Sequence, residues 1–343
     1  MIREMTQAKT RIEWVDQARG WGMILVMLGH APFTDLAHKL IYSFHMPFFF
    51  ALSGWLHNPV RHRNFAELVR ARWKTLILPY FLYSCIGYMG LVVQWGMGRK
   101  PWGLSPLDPI LGTLLGWRNS TPYNGTLWFV ACLVMTEFGF FWLFRIARRR
   151  ALVAFVLAFV PLVQIIRFPY PLPFPYPWSL DAAFVAIVFF AFGYLVRSVW
   201  DTEIFRKWSP RILVPVLALW LCAALLGGPI DMYTDLYKTP VLFVASSLAG
   251  IFATFLIVPR IPASKVIGSI GRHSLVLLAL HFWFAYYLVQ TFLKFVAPGG
   301  LPTTTLSLSL QGVGYMVAAL LILWPVCIAF DKWAPILVGG GRK

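Results

Sequence analysis

A chain of 343 residues that is 59% hydrophobic and only 13% charged departs from the roughly 45–50% and 25% of soluble domains, which excludes a soluble globular protein. The formal net charge of +17 does not point to nucleic acid, because the basic residues stand between apolar blocks and not along one polar stripe; they read as topology signals and contacts to anionic lipid. Cys85, Cys132, Cys222 and Cys327 lie inside apolar stretches without paired spacing, so neither a disulfide framework nor a metal knuckle is indicated.

In chain order, apolar windows near the ~20 residues that cross ~30 Å of hydrocarbon fall at about 17–35, 39–58, 75–96, 126–144, 151–167, 180–198, 212–228, 238–258, 273–293 and 308–330. The first carries Arg19 and no small-residue cleavage site, so it is expected to remain as a span. The pattern predicts an all-α integral membrane protein, a polytopic bundle of about ten transmembrane helices forming one membrane-embedded domain over residues 1–343. With the N-terminus inside, 22 of the 30 Lys and Arg fall on the cytoplasmic side, including Arg3, Lys9, Arg11, Arg148, Arg149, Arg150, Arg206, Lys207, Arg342 and Lys343. That bias places both termini in the cytoplasm.

Two external stretches are long. Residues 97–125 contain an apolar piece from Leu107 to Trp117, too short to span and suited to a re-entrant or interfacial position. Residues 168–177 alternate proline with aromatic or leucine, which enforces a stiff extended connector; Tyr170, Phe174 and Tyr176 offer rings on which a sugar would stack. Asn119-Ser120-Thr121 and Asn124-Gly125-Thr126 match glycosylation acceptors, which matter only in a eukaryotic lumen. No internal repeat is visible, which counts against the inverted-repeat transporters.

Ionisable residues at membrane depth are costly, and here they concentrate in the first two spans. Arg19 and His30 are eleven residues apart, three turns plus about 20°, and so share a helix face ~16 Å apart along the axis; Asp16 falls in the same sector. His45 enters the second span at the depth at which His30 leaves the first, and Pro47 removes a backbone donor beside it. The bland alternatives are a snorkelling arginine and histidines bonded to neighbouring carbonyls. Glu137 is a mid-span carboxylate that is either functional or paired with a structural arginine. His281 follows Ser274 by seven residues on one face. Asp181 reads as a first-turn acid favoured by the helix dipole. No histidine spacing suggests a metal site.

The run Arg11-Ile12-Glu13-Trp14-Val15-Asp16-Gln17-Ala18-Arg19-Gly20, the Leu28-Gly29-His30 ending and His45-Met46-Pro47-Phe48-Phe49-Phe50 through Ser53-Gly54 resemble the acyltransferase-3 family, in particular its fucose and exopolysaccharide O-acetylases. Further matches are Arg72-Trp73-Lys74 through Pro79-Tyr80, Leu127-Trp128-Phe129, Pro177-Trp178-Ser179-Leu180-Asp181 with Gly193, and Ile270-Gly271-Arg272-His273-Ser274 with His281. The resemblance implies transfer of an acyl group, usually acetyl, from cytoplasmic acetyl-CoA to a sugar hydroxyl of an exported or cell-envelope polysaccharide or its lipid-linked intermediate. A family pair of cations before the Pro-Tyr falls on Arg72 and Thr75, leaving Lys74 or Arg70 to replace the second.

On this reading His30 is the catalytic base or transient acyl carrier, with His45 in support. Arg19, Arg70, Arg72 and Lys74 line the donor path, and Asp16, Glu137, Trp128, Ser274 and His281 serve substrate or support roles. The donor co-substrate is acetyl-CoA, without metal. Expected partners are the sugar acceptor, membrane lipids and a polysaccharide-synthesis machinery, with no nucleic acid, and the expected location is the bacterial inner membrane. A glycan or lipid flippase is the rival class, and a purely structural partner of a synthase is a third.

Overall fold

The computed structural model describes residues 13–58, 61–98, 103, 105–118, 122–167, 176–200, 202 and 211–339. Arg3, Lys9, Arg11, Asn119, Ser120, Thr121, Arg206, Lys207, Arg342, Lys343 and the prolyl-aromatic segment from Phe168 to Pro175 lie outside the described residues.

The first half comprises α1 (Glu13–His30), α2 (Asp35–Tyr42), α3 (His45–Trp55), α4 (Phe65–Arg72), a π-helical turn (Trp73–Ile77) running into α5 (Leu78–Gly96), α6 (Asp108–Leu115) and α7 (Trp128–Ile146). The second comprises α8 (Ala151–Leu157), α9 (Phe159–Arg167), α10 (Leu180–Val199), α11 (Leu213–Leu226), the hairpin β1 (Ile230–Asp231) and β2 (Leu236–Tyr237), α12 (Pro240–Ile257), α13 (Lys265–Arg272), α14 (Ser274–Leu280), a π-helical turn (His281–Tyr286), α15 (Tyr287–Val296) and α16 (Thr305–Trp333).

Six segments, Phe65–Gly96, Gly125–Ile146, Pro177–Val199, Pro240–Arg260, Ser274–Val296 and Thr305–Trp333, are long and apolar enough to cross a membrane. The other four expected spans fall short of that standard for physical reasons. α1 carries Glu13, Asp16 and Arg19 within its 18 residues, and the second span is broken between α2 and α3. The fifth and seventh are short apolar helices, Ala151–Val163 and Leu213–Leu226.

The break is where Pro47 dictates it. With no N–H at residue 47, the carbonyl of Ser43 loses its helical donor, and a bare carbonyl at membrane depth costs several kcal/mol unless it is satisfied. Ser247 Oγ donates to it at 2.7 Å and Ser246 Oγ at 3.5 Å, both from α12. Trp220 Nε1 donates to Ser43 Oγ at 3.0 Å. His45 is thereby the first residue of a new helix.

In lipid, helices associate by close packing, because lipid tails are as apolar as leucine. Two glycine-lined crossings build the centre. α3 meets α10 with Gly54 against the backbone of Phe190 and Gly193 against that of Ala51, while α1 meets α13 with Gly20 against Ile267 and Gly271 against Asp16. The glycines of the recognised motifs thus have a packing reason. Phe48, Phe50, Phe140, Phe189, Phe190, Phe243 and Phe255 fill the core around α3, α7, α10 and α12.

A Cβ added at Gly193 would overlap the Ala51 carbonyl oxygen, a clash that outweighs the ~1 kcal/mol helix-propensity gain of alanine. Gly193→Ala should therefore lower the melting temperature of the detergent-purified protein through a net cost of ~1–3 kcal/mol. Gly314→Ala, where the added Cβ meets nothing within 4 Å, should leave it unchanged or higher.

Candidate active site

His30 ends α1, and its position is set by two contacts through one nitrogen. Nδ1 lies 2.9 Å from the Val26 carbonyl oxygen and 3.2 Å from Nε2 of His281. The two rings are 5.0 Å apart. His281, fully buried, opens a π-helical turn, and its Nδ1 lies 2.8 Å from the Leu277 oxygen and 3.1 Å from the Leu278 oxygen. Carbonyl oxygens only accept, so in the neutral ring Nδ1 of His281 carries the proton and Nε2 the lone pair. By the same rule Nδ1–H of His30 donates toward Val26 and His281. Its Nε2 is left with the lone pair, the atom a base or nucleophile needs.

The π-turn that carries His281 is pinned on both sides. Tyr286 Oη donates to the Met27 oxygen at 2.6 Å, and Thr126 Oγ1 donates to the Leu278 oxygen at 2.8 Å. His45 is linked to His30 through Tyr42. The Tyr42 ring lies 4.9 Å from that of His45 and its hydroxyl donates to the Gly29 oxygen at 3.2 Å, while Nδ1–H of His45 donates to Ile41 at 2.8 Å. The histidine given a direct contact with His30 is thus His281, where the hairpin argument had brought forward His45.

The expected donor cations separate into two groups. Arg70 and Lys74, four residues apart and therefore on one face, share a shallow, open surface depression with Phe65, Val69 and Trp73 of the same helical segment. Arg72, on another face, donates through Nε to Glu137 of α7. That ion pair gives Glu137 the structural-arginine alternative. The π-turn between them has a chemical cause: Pro79 cannot donate to Thr75, and the Leu78 N–H reaches instead to Trp73, five residues back. Arg19 is partly exposed on α1, and Asp16 is buried where α1 crosses α13.

The loop after α6, the start of α10 and the β1–β2 hairpin share a network that sequence reasoning missed. Arg118 donates to Asp181 at 2.6 Å, to Asp235 and to the Met232 oxygen at 3.0 Å, and Tyr233 Oη donates to the Arg118 oxygen at 2.9 Å. One guanidinium therefore joins the loop after α6, the start of α10 and the hairpin. Burial pushes the Asp235 carboxyl up to about 6, against the pull of Arg118 and with repulsion from Asp181. Asp181 also accepts from the Ala182 N–H at 2.7 Å, as a paired first-turn acid. The apolar piece of the first external stretch is the helix α6, ended by Gly116 at φ 63° and anchored by Tyr80 Oη on Thr113 at 3.0 Å and Trp178 Nε1 on Leu114 at 3.1 Å. Trp128 sits beneath the hairpin, 6.2 Å from the Tyr233 ring. Ser274 starts α14, about 10 Å along the axis from His281, so helical spacing does not bring the two together.

Among the described residues no group of three or more His, Cys, Asp or Glu is placed to hold a metal ion. Fold and site define a helical integral membrane protein with a histidine pair between the end of α1 and the π-turn that follows α14. The chain belongs to the acyltransferase-3 family, whose acyltransferase-domain model matches residues 12–328. It is similar to the nodulation protein NolL of Mesorhizobium japonicum, with 28% identity over 176 residues, 46% of this chain and 44% of the relative. The match thus spans less than half of that curated protein. No solved structure matches the chain.

Proposed function

We propose that the protein is an O-acyltransferase of the bacterial inner membrane, with both termini in the cytoplasm. It moves an acyl group, acetyl foremost, from cytoplasmic acyl-CoA to a sugar hydroxyl of an exported polysaccharide or its lipid-linked intermediate. The observation that carries this reading is the His30–His281 contact, which leaves Nε2 of His30 as the free lone pair. Family membership favours transfer over the flippase alternative. A polysaccharide-synthesis machinery that supplies the acceptor is the expected partner.

In the direct route His30 Nε2 takes the hydroxyl proton as the sugar oxygen attacks the thioester carbonyl. The C–O bond forms, the C–S bond breaks, and the departing thiolate receives the proton from the imidazolium. In the two-step route Nε2 attacks the thioester carbonyl, the N–C bond forming as the C–S bond breaks and CoA leaves as thiolate; the sugar oxygen then attacks the acyl-imidazolium, the C–O bond forms, the N–C bond breaks to return the lone pair to Nε2, and the hydroxyl proton passes to the thiolate. Both routes use the same nitrogen. Arg70 and Lys74 would hold the donor phosphates on the exposed face of α4, with Arg19 along the path toward His30. The test is release of free CoA thiol from acetyl-CoA by membranes containing the protein when glycan acceptor is added. No acceptor-dependent release, across glycans of the host envelope, would overturn the reading.

The cations make different predictions. Arg70→Ala and Lys74→Ala should each weaken acetyl-CoA binding by ~10-fold, as one charge-assisted contact of ~1.5 kcal/mol is lost, and the wild-type affinity should fall with salt. Arg72→Ala leaves Glu137 buried without its partner, a loss of ~3–5 kcal/mol. Its signature should be a lower melting temperature and yield. Calorimetric titration beside thermal unfolding separates the two effects, and Arg72→Ala protein of normal stability with lost donor binding would return Arg72 to the phosphate site.

A further inference from the structure

The hairpin between α11 and α12 carries two carboxylates, Asp231 and Asp235. Asp235 is clasped by Arg118, whereas among the described residues no Lys or Arg pairs with Asp231. Asp231 is fixed by its own turn instead: Oδ1 accepts from the Tyr233 N–H at 2.8 Å and Oδ2 from Thr234 Oγ1 at 3.1 Å. Two neutral donors hold the carboxylate in place without cancelling its charge, and each oxygen keeps a further lone pair. A hairpin that needed only the turn would be served as well by asparagine. The charge asks for another reason.

That reason lies toward α1. β1 packs against α2, whose last residue, Tyr42, donates to the Gly29 oxygen at 3.2 Å, one residue before His30. The charge of Asp231 acts on both the Tyr42 hydroxyl and the His30 ring. The other titratable groups around His30 are His38 on α2, His45 at the start of α3, and His281 with Tyr286 on the π-turn. A histidine is either neutral or a further positive charge, and a phenol is neutral at ordinary pH. Both routes of acyl transfer nevertheless put a positive charge on the His30 ring, as imidazolium or as acyl-imidazolium. His281 offers that cation a lone pair; Asp231 offers it the opposite charge.

We propose that Asp231 is a positioning residue of the transfer reaction, acting through His30: its unpaired carboxylate, held by the hairpin turn, is the counter-charge for the cation that forms on the ring when Nε2 takes a proton or an acyl group. The inference rests on the acyltransferase reading and adds to it the group that supports the charge on the ring. The Arg118 clasp serves the same end, because it binds the Met232 oxygen and Asp235, the residues on either side of Tyr233 and Thr234, whose donors hold Asp231.

The test reads the charge state of His30 without relying on turnover. Diethyl pyrocarbonate acylates neutral imidazole, so the pH dependence of its reaction at His30 in the detergent-purified full chain, resolved by mass spectrometry of the peptide, reports protonation of that ring. Removing a negative charge near an imidazole disfavours its protonated form, and in Asp231→Asn the pH of half-maximal labelling of His30 should fall by ~1 unit. His62, whose charged neighbours are Arg72, Arg61 and Glu67, should keep its value. Asparagine still accepts from the Tyr233 N–H; Asp231→Ser, which also suits such a turn, serves if the first variant fails to accumulate, and Asp231→Glu should restore the wild-type value at least in part. In the CoA-release assay Asp231→Asn should lower kcat ~10-fold with KM for acetyl-CoA unchanged, and move the acid limb of the kcat/KM profile down with the labelling. Half-maximal labelling at the same pH in wild type and both neutral variants, or no labelling of His30 at any pH, would overturn the proposal. Because labelling is read on the protein alone, the shift without any CoA release would count against the acyltransferase reading and leave the pairing of Asp231 with His30 standing.

Discussion

Replacement of His30 by alanine should abolish acyl transfer while expression and acetyl-CoA binding persist. The reason is local. The Nδ1 proton of His30 is directed at Val26 and His281, so Nε2 is the atom offered to substrate, and alanine supplies nothing in its place. A positioned general base contributes ~10²–10⁴-fold, and the loss should be at least that large in kcat at matched protein levels. His45→Ala, which alters a ring bonded to Ile41 and packed on Tyr42, should cost less. A His30→Ala enzyme with near-wild-type turnover would sink both the direct and the two-step route.

The second large effect belongs to His281, a positioning residue that acts through His30. In the imidazolium form of His30, Nε2 of His281 accepts a charge-assisted hydrogen bond of ~1.5–3 kcal/mol, so its removal should lower kcat by ~10–10²-fold with little change in KM for the donor. The substitution chosen matters. His281→Phe removes the acceptor and keeps an aromatic ring, whereas His281→Gln retains a side-chain oxygen that can accept. Partial rescue by glutamine over phenylalanine is the signature of a role through hydrogen bonding; equal turnover in the two variants would assign His281 to packing alone.

Much of the scaffold was legible because membrane spans announce themselves one at a time. The apolar windows found the helical segments, Pro47 marked the break beside His45, and the leftover apolar piece after Leu107 became α6. The spacing of Arg19 and His30 also put both on one helix. What stayed hidden were pairings between distant segments, for which a periodicity carries no signal. Glu137 lies 65 residues from Arg72, His281 251 residues from His30, and Ser247 204 residues from the carbonyl it satisfies. Arg118 stood in a polar external stretch with nothing nearby to name Asp181 and Asp235 as its partners. Rotation about the helix axis was equally decisive: Arg70, Arg72 and Lys74 look alike in sequence, yet the first and last share one open face of the helix while Arg72 turns to Glu137.

The Arg118 junction also bears on how the protein is made. Chains emerge from the ribosome N-terminus first, so Arg118 is made well before either carboxylate that holds it. Asp181 follows 63 residues later and Asp235 117 residues later. Until that hairpin has been made, the cation has no full clasp. Its closure requires that α7 to α11 return the chain to the end of the bundle that holds Arg118, and a misthreading that left the hairpin at the opposite end would leave Arg118 without these two carboxylates.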